Sequence, residues 1–350
     1  MDRTAVKAAL ARTHSYHEDK LTLIQLDGAA LRHNLQTWKQ RTRSPVRAVV
    51  KADGYNFGIE RIVRELDGTA DGFVVSDVDE LRRVRAISNA PVATLSDPDA
   101  DHALQVASLN GIGNIARIAS LRALAARSDA STLTVRVGLR LAAGWSAISA
   151  DEANAYAQIV SESGVRVELW THLTNPATEQ EDRERFARFV ATFRACGADV
   201  VGEDVESTFP AANGVRGANA RIGVGLFGAG AASGVTGLQC AIAVNAPVVE
   251  TLVSDGNLRA SYAEAALSKD TLVSVVRCGY RDGFPRVTQT YRRILSVGMQ
   301  NTIASGSTDR ERFALLGTDD DLDELAAAAG VLPHQIVTAL GLGFQRQQHG

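Results

Sequence analysis

Eight short apolar runs, rich in β-branched residues, alternate with stretches of helical periodicity through the first two thirds of this 350-residue chain. The runs lie at residues 47–52, 73–76, 92–96, 113–117, 133–138, 167–172, 200–205 and 221–226. The clearest helical patterns between them lie at residues 78–88, 151–163 and 180–195. Eight strands that alternate with helices are typical of a closed parallel barrel. The sequence therefore predicts an α/β fold built on a (β/α)8 TIM barrel.

The pattern changes after about residue 240, where strand-like runs follow one another without regular helices between them. These runs lie at residues 241–252, 258–263, 271–278, 292–299 and 335–340, and a predicted helix at 322–329 precedes the last of them. Such a series favours a separate β-rich domain. A further strand at 21–27 would be a ninth for the barrel, so we expect it to join the sheet of the second domain. The predicted organisation is an N-terminal segment 1–28, a barrel 29–240 and a smaller β-rich C-terminal domain 241–350.

Charge and apolar patterning exclude several classes of protein. The formal net charge is −3 with both signs interspersed, which gives no electrostatic footprint for nucleic acid or an anionic membrane. No apolar run approaches the roughly 20 residues that span a bilayer, and the N-terminus lacks the apolar core of a signal peptide. The cysteines Cys196, Cys240 and Cys278 are scattered and lack metal-ligand spacing. We therefore expect a cytoplasmic protein with no nucleic-acid or membrane partner and no metal site.

One lysine, Lys51, ends the first predicted strand of the barrel. Only five of the 37 basic residues are lysines, and the other four lie in polar or amphipathic surroundings. An ammonium group at the end of a buried strand is costly unless it is paired, neutral or covalently used. Desolvation lowers the pKa of a lysine and makes its amine a good Schiff-base nucleophile. The alternative is a structural lysine with a buried stem and an ammonium that reaches water.

Further candidate site residues occur where predicted strands end, which is where the active sites of such barrels lie. Tyr55 follows Lys51 in the first loop, His172 ends the sixth strand and Arg221 opens the eighth. Residues 223–228 match G-x-G-x-x-G, and glycine-rich backbone near the eighth strand can bind a phosphate through its N–H groups. Each feature has a structural alternative, namely a core histidine, a salt-bridged arginine or a simple turn. A lysine and a phosphate site at one barrel mouth favour pyridoxal phosphate as cofactor.

Four segments resemble, in the right order, the motifs of the alanine racemases, the fold-type III pyridoxal phosphate enzymes. They are residues 48–58 (AVVKADGYNFG), 170–173 (WTHL), 221–228 (RIGVGLFG) and 279–286 (GYRDGFPR). The resemblance extends over nearly the whole chain, and its first and last motifs are the most specific. It implies an alanine racemase-like isomerase of amino-acid metabolism that binds pyridoxal 5'-phosphate. It also implies a homodimer that acts on a small-molecule amino-acid substrate.

The resemblance further implies catalytic roles for the residues that match these motifs. Lys51 would carry the cofactor in Schiff-base linkage and act as one acid/base on the α-carbon. Tyr280 would be the opposite base, reaching into the site of the partner in a head-to-tail homodimer. Arg221 would hydrogen-bond the pyridine nitrogen, and His172 would orient Tyr280 or Arg221. Racemisation removes a proton from one face and returns it to the other, which two opposed bases can do.

The other matching positions imply binding roles. Tyr55, the backbone around Gly223 and Val224, and Thr208 would hold the cofactor phosphate. Met299 lies where the family offers a backbone N–H to the substrate carboxylate. These expectations also come from the resemblance, since backbone groups and single hydroxyls carry no signal of their own in a sequence.

The fifth predicted strand departs from the family pattern. Ala143 lies where the racemases have an arginine that contacts the cofactor and the substrate carboxylate, and Arg136 lies where many of them have a carbamylated lysine. Arg140 and Arg136 are candidates to replace the missing anchor, although neither is in register. Trp145 is a candidate to line the altered pocket. We therefore expect a racemase or epimerase that keeps the Lys/Tyr pair but acts on an amino acid other than alanine.

Two alternatives are left open. One is another pyridoxal phosphate-dependent amino-acid reaction on the same fold, such as decarboxylation. The motif at 279–286 disfavours it, because decarboxylases of this fold carry a cysteine-centred motif in the second domain. The other is a non-catalytic homologue that only binds pyridoxal phosphate. The missing arginine favours that alternative, whereas the intact pair Lys51 and Tyr280 disfavours it, since a binding protein needs no second base.

Overall fold

The computed structural model describes residues 21–96, 100–173, 175–206, 219–230, 234–261, 266–306 and 311–349. The chain separates into two compact units. One is Leu31–Leu238, and the other combines the residues up to Ala30 with those from Gln239 onwards. The described part begins with strand β1, Leu23–Leu26, and helix α1, Gly28–Thr42.

The described residues of Leu31–Leu238 contain a parallel sheet of eight strands that closes on itself. The strands are β2 Val46–Val49, β3 Gly72–Val75, β4 Val92–Thr94, β5 Gly113–Asn114, β6 Thr134–Leu139, β7 Arg166–Thr171, β8 Val200–Glu206 and β9 Asn219–Ile222. Their spatial order is β4-β3-β2-β9-β8-β7-β6-β5. The ring closes through Ile112, which donates to the carbonyl of Val92 and accepts from the amide of Thr94. The predicted (β/α)8 barrel is confirmed.

Helices lie between most of these strands. They are α2 Ile59–Leu66, α3 Val78–Arg85, α4 Ala100–Ser108, α5 Ile118–Ala125, α6 Ala153–Ser163 and α7 Glu179–Ala195. Asp77 caps the N-terminus of α3: its carboxylate accepts from the amides of Asp79 and Glu80 and so satisfies donors that have no partner within the helix. Helix α7 buries a row of phenylalanines in a core shared with β6 and β7. The buried rings are Phe186, Phe189 and Phe193, which recur at helical spacing.

Four barrel strands, β2, β4, β5 and β9, end two or more residues earlier than the apolar pattern predicts, and β2 and β9 adjoin candidate site residues. β2 ends at Val49, because the backbone is left-handed from Ala52 to Asn56. β9 ends at Ile222, and Val224–Phe227 forms a 3₁₀ turn. Val50 after β2 and Val224–Phe227 after β9 are buried, so an apolar pattern continues there although the extended backbone does not. The ends of β2 and β9 lie at the carboxyl edge of the barrel, where candidate site residues were predicted.

The second unit is built on an antiparallel sheet in the order β1-β10-β11-β13-β12, with β14 paired to β10. Its further elements are β10 Ile242–Val253, β11 Leu272–Val276, β12 Ile294–Val297, β13 Thr302–Ser305, β14 Arg312–Leu316, α8 Leu322–Ala329 and α9 Pro333–His349. β1 pairs with β10, with Leu23 opposite Asn245. The segment before the barrel therefore extends the sheet of this unit. No single helix in the described ranges is long and apolar enough to cross a membrane, although α8 and α9 pass that test as a pair bent by 98°.

The strand predicted at 335–340 is wrong, because these residues lie inside α9. A short apolar run fits a buried strand or one face of a helix equally well, and packing decides between them. The helix begins at Pro333, a position where a missing N–H is harmless. Its buried apolar residues follow helical spacing: Ile336, Val337, Leu340 and Phe344.

The run predicted as a strand at 258–263 is only partly described. Its described residues form an isolated bridge between Arg259 and Ala266 and no longer ladder. Residues 262 and 263 lie outside the described residues. β13 and β14, in contrast, were not predicted, because their short alternating patterns lie close to turn-forming residues.

Candidate active site

Lys51 opens a tight left-handed turn at the carboxyl end of β2. We call residues 51–56 the lysine turn. Its φ angles are 54° at Ala52, 53° at Asp53, 60° at Gly54 and 67° at Asn56. For residues other than glycine this conformation costs roughly 1–2 kcal/mol each, so the surroundings must hold it. Backbone bonds within the turn do part of this, such as the 2.9 Å bond from the amide of Gly54 to the carbonyl of Val50.

A carboxylate outside the turn completes its support. Glu80 on α3 accepts from the amide of Asp53 at 2.8 Å and from the amide of Ser76 at 2.7 Å. The two oxygens of one side chain thus tie the lysine turn to the end of β3. Glu80 was not singled out in the sequence, since an acidic residue in the first turn of a helix is ordinary. The distance in sequence between Glu80 and Lys51 does not predict a contact. The contact between Glu80 and the lysine turn forms because β2 and β3 are neighbouring strands.

The amine of Lys51 lies in a half-buried position beside an aromatic ring. Its Nζ is 5.7 Å from the ring centroid of Trp145, within the range of a cation–π contact. Burial lowers the pKa of Lys51, the positive charge of Arg221 lowers it further, and Glu80 opposes the shift. More of the neutral, nucleophilic amine is therefore present near neutral pH than an exposed lysine would provide.

Trp145 also contacts His172. The two ring centroids are 4.2 Å apart with an interplanar angle of 52°. Trp145 reaches this place because the loop after β6 folds back, with 2.8 Å bonds from the amide of Arg140 to Ile148 and from the amide of Ile148 to Gly138. One indole therefore touches two of the predicted site residues, which are 121 positions apart in the chain.

Arg140, the predicted substrate anchor, lies in that loop. It is exposed, and its guanidinium donates to the carbonyl of Ala147. The contact ties the side chain to its own loop. Ala143, at the position of the family arginine, is exposed as well. The anchoring role of Arg140 therefore stays a prediction.

Arg221 lies on β9 with its guanidinium inside the barrel, where it is 5% exposed. Its Nε donates to Asp204 at 2.6 Å, and its Nη2 donates to the carbonyl of Thr171 at 2.5 Å. Thr171 immediately precedes His172, so this bond joins Arg221 to the strand end that carries the histidine. The guanidinium also lies 5.0 Å from the ring centroid of Trp170.

Tyr55, at the end of the lysine turn, meets the glycine segment that follows β9. Its phenol oxygen lies directly against Gly223, where a Cβ atom would collide with it. The ring of Tyr55 also packs edge-on against Phe227 at 5.3 Å. Burial raises the pKa of Tyr55, so its hydroxyl stays protonated and can donate. Val224 follows and starts the buried 3₁₀ turn.

Five charged side chains fill the interior of the barrel. We call Arg47, Arg136, Glu168, Asp204 and Arg221 the interior ion cluster. Glu168 accepts from Arg47 at 2.6 Å, and Asp204 accepts from Arg136 at 2.6 Å in addition to its bond from Arg221. Burial acts to raise the pKa of Glu168, but Arg136 and Arg47 outweigh it and the pKa is lowered, so this carboxyl is ionised. Neither acid was predicted as a site residue, although each lies within a predicted apolar strand, where a carboxylate is an available signal.

Tyr280 and Met299 lie in the second unit and are joined by backbone bonds. The amide of Tyr280 donates to Gly298 and that of Arg281 donates to Met299, both at 3.1 Å. Gly279 permits this close approach, because a Cβ atom there would collide with the carbonyls of both acceptors. Tyr280 is 47% exposed and Met299 is 54% exposed, so both side chains are presented on the surface of this unit. Thr208, the remaining predicted residue, lies outside the described residues.

Comparison with known proteins agrees with this arrangement. The model of the family described as "Alanine racemase, N-terminal domain" matches residues 26–230, more than half of the chain. The chain belongs to the alanine racemase family. A relative named alanine racemase from Thioalkalivibrio sulfidiphilus is 29% identical over 355 aligned residues, covering 91% of this chain and 96% of the relative. The family predicted from the four motifs is thus confirmed.

Solved structures of the family share the fold. The alanine racemase of Acinetobacter baumannii has a TM-score of 0.78 at 17% identity, covering 92% of this chain and 97% of that one. The alanine racemase of Bartonella henselae, solved with covalently bound pyridoxal phosphate, has a TM-score of 0.71 at 19% identity, covering 91% of this chain and 97% of that one. At these identities the likeness is one of fold, so the roles of individual residues depend on the geometry above.

Proposed function

We propose that this chain is a pyridoxal phosphate-dependent amino-acid racemase or epimerase whose two bases are Lys51 and Tyr280. The observation that carries the proposal is the position of Lys51. Its amine lies at the carboxyl edge of the barrel with a lowered pKa, on a turn held in a costly conformation. Backbone strain in a turn and a shifted pKa on the residue that opens it are typical of functional sites and are hard to explain as contributions to stability. Membership of the alanine racemase family supports the same reaction class.

The residues around Lys51 fit pyridoxal phosphate. Lys51 would hold its aldehyde carbon, while Tyr55 and the backbone at Gly223 and Val224, together with Thr208, would hold its phosphate. Gly223 suits this role because it has no side chain. The Tyr55 hydroxyl can therefore lie directly against the backbone of residue 223. When bound, pyridoxal phosphate supplies the electron sink that makes the α-proton of an amino acid removable. Arg221 would donate to the ring nitrogen, and a guanidinium there keeps that nitrogen unprotonated.

Each base would move a proton at a defined atom. The Nζ of Lys51 is suited to accept or return the α-proton on one face, because burial and Arg221 favour its neutral form. The phenol oxygen of Tyr280 would serve the other face. His172, whose ring contacts that of Trp145 at a tilt of 52°, would orient Tyr280 or Arg221. Two bases on opposite faces allow inversion, which one base cannot easily provide.

The phenol of Tyr280 would come from the partner of a head-to-tail homodimer. Its half-exposed side chain, adjacent to the exposed Met299, supports this proposal, because a base must be shielded from bulk water to work efficiently. The backbone N–H of Met299 would bind the substrate carboxylate. A cytoplasmic enzyme is consistent with Cys196, Cys240 and Cys278, which are free thiols.

The substrate we propose is an amino acid other than alanine. The support is local: Ala143 replaces the family arginine, Arg140 bonds to Ala147 within its own loop, and Trp145 lies against Lys51. An indole at the reacting amine changes both the size and the polarity of the space that receives a substrate side chain. Binding of the substrate carboxylate would then depend on the backbone N–H of Met299 and on any contact made by Arg140.

The first test is α-proton exchange. The purified protein, loaded with pyridoxal phosphate in heavy water, would be given a panel of L- and D-amino acids and followed by NMR and chiral chromatography. We expect exchange with inversion from both enantiomers of a limited set of substrates. Lys51→Ala should abolish exchange. Tyr280→Phe should abolish exchange from one enantiomer before it affects exchange from the other, because each base serves one face of the α-carbon.

Other outcomes would point elsewhere. Release of carbon dioxide without inversion would identify a decarboxylase. Binding of pyridoxal phosphate without exchange on any substrate would favour a non-catalytic homologue. Full activity of Tyr280→Phe in both directions would contradict the two-base assignment. Alanine as the best substrate, turned over with the efficiency of ordinary enzymes, would contradict the altered specificity.

A further inference from the structure

Asp204 holds two arginines at once inside the barrel. Its Oδ1 accepts from Arg221 and its Oδ2 from Arg136, each at 2.6 Å, and the side chains of Asp204 and Arg136 are completely buried. The indole of Trp170 lies against both guanidiniums, 5.2 Å from Arg136 and 5.0 Å from Arg221. A bond of 2.8 Å from its ring N–H to Asn114 fixes that indole. The arrangement leaves the guanidinium of Arg221 little freedom to rotate.

A contribution to stability does not explain why the charged side chain of Arg136 is buried. Its Nη1 has no hydrogen-bond partner within the part of the chain that the structure describes, and its Nε makes only a 3.4 Å ionic contact with Glu168. Burial lowers the pKa of Arg136 despite the opposing charges of Asp204 and Glu168, which shows that its charge is held at a cost. Apolar residues of similar volume are often at least as stabilising as a buried ion pair. A buried charge that lacks hydrogen-bond partners in this way is expected to have a role in the functional site.

We infer that Asp204, with Arg136 as its counter-ion, is a positioning residue for Arg221. Asp204 and the carbonyl of Thr171 hold two of the three nitrogens of Arg221. Arg136 offsets the charge of Asp204, so two positive groups and one negative group leave one net positive charge. Arg221 is thereby oriented without losing its electrostatic effect on the amine of Lys51 and on the cofactor ring. The inference rests on the proposed function in one respect, that Arg221 contacts the pyridine nitrogen.

The test removes the pair in a charge-balanced way. Asp204→Asn alone removes the carboxylate that bonds two buried arginines and should destabilise the fold. The double variant D204N/R136M removes one charge of each sign and should recover most of the lost stability. We expect its dissociation constant for pyridoxal phosphate to stay raised roughly tenfold or more, as for loss of a charged hydrogen bond. The visible absorbance of the bound cofactor should also change, and kcat should fall more than KM rises.

A matched control exists in the same layer of the barrel. The double variant R47M/E168Q removes the other buried pair, whose 2.6 Å bond does not involve Arg221. It also removes the 3.4 Å ionic contact of Glu168 with Arg136, but it leaves both 2.6 Å bonds of Asp204 in place. Its cofactor absorbance and affinity should stay close to those of the unchanged protein, whatever its stability.

Three results would overturn the inference. Unchanged cofactor affinity and absorbance in D204N/R136M would show that Asp204 is only structural. An equal loss in R47M/E168Q would show a general effect of barrel charges. Failure of the unchanged protein to bind pyridoxal phosphate would overturn the proposed function and this inference together, whereas the first two results would leave the proposed function standing.

Discussion

Lys51 is the residue on which the proposed chemistry depends, and its surroundings favour the neutral amine. Burial and Arg221 lower its pKa from the ordinary value of 10.5, and Glu80 only partly opposes them. Between the lowered pKa and 10.5 the unfolded chain binds more protons at this position than the folded chain. Stability therefore rises with pH across this window, because folding releases a proton from Lys51 and a higher pH favours that release.

Replacement of Lys51 tests this linkage. In the cofactor-free protein, Lys51→Met should be more stable than the unchanged protein at neutral pH, because no buried ammonium remains. The advantage should shrink as pH rises towards 10.5, where the lysine is neutral in both states. The measurement is the free energy of unfolding in urea at a series of pH values. Lys269→Met, at an exposed position, controls for the loss of one charge. A variant less stable at every pH would contradict the expectation.

The lysine turn is the element that gives Lys51 its direction. Several of its residues other than glycine are left-handed, and the turn is held by Glu80 and by its own backbone bonds. An element that adopts a costly conformation is expected to lose function when relaxed and to gain stability when a single strained residue is relieved. In a regular helix, by contrast, a glycine relieves no strain. It only adds conformational freedom to the unfolded chain and so lowers stability.

Two alanines with opposite backbone conformations test this element. Ala52→Gly, at φ 54°, should stabilise the protein, because the left-handed cost of roughly 1–2 kcal/mol exceeds the entropic cost of glycine, roughly 0.5–1 kcal/mol. Ala187→Gly, on the exposed face of α7, should destabilise it by roughly 0.5–1 kcal/mol. Denaturant unfolding of both variants gives the comparison. Destabilisation of equal size in both would mean that residue 52 is not strained.

The whole molecule is proposed to act as a dimer in which each site takes Lys51 from one subunit and Tyr280 from the other. The half-exposed Tyr280 and Met299 are the surface features that support this arrangement. A symmetric dimer of this kind uses the same patch on both subunits. Shared sites of this type can be distinguished from sites built within one chain by mixing inactive variants.

Mixing Lys51→Ala with Tyr280→Phe makes that distinction. Each variant alone should be inactive or strongly impaired. After the two are unfolded and refolded together, about half of the dimers should be mixed and carry one intact site, which gives about a quarter of the full racemase activity. Mixing Lys51→Ala with itself is the control. No recovery in the mixture, with each variant alone inactive, would mean that Lys51 and Tyr280 act within one chain.

Much of the architecture was predictable because burial has a different period in strands and in helices. The eight runs of the barrel are continuously apolar, since both faces of a parallel barrel strand are buried, and the segments between them have helical spacing. Lys51 was recognisable because a cation at the end of an apolar run is locally anomalous. Where the local signal was ambiguous, prediction failed. Residues 335–340 have the composition of a strand, yet packing on one face makes them part of α9. The short alternating patterns of β13 and β14 lie close to turn-forming residues, which obscured them.

The interior of the site was decided by the tertiary structure. Arg136 and Asp204 are 68 positions apart, and Arg47 and Glu168 are 121 apart. Their contacts depend on the register of neighbouring strands and on closure of the barrel, which no local pattern encodes. The same holds for Trp145, which reaches Lys51 and His172 only because its loop folds back. The sequence by itself determined which elements form and which lysine is unusual, whereas barrel closure determined which charges meet, because that choice depends on long-range pairing.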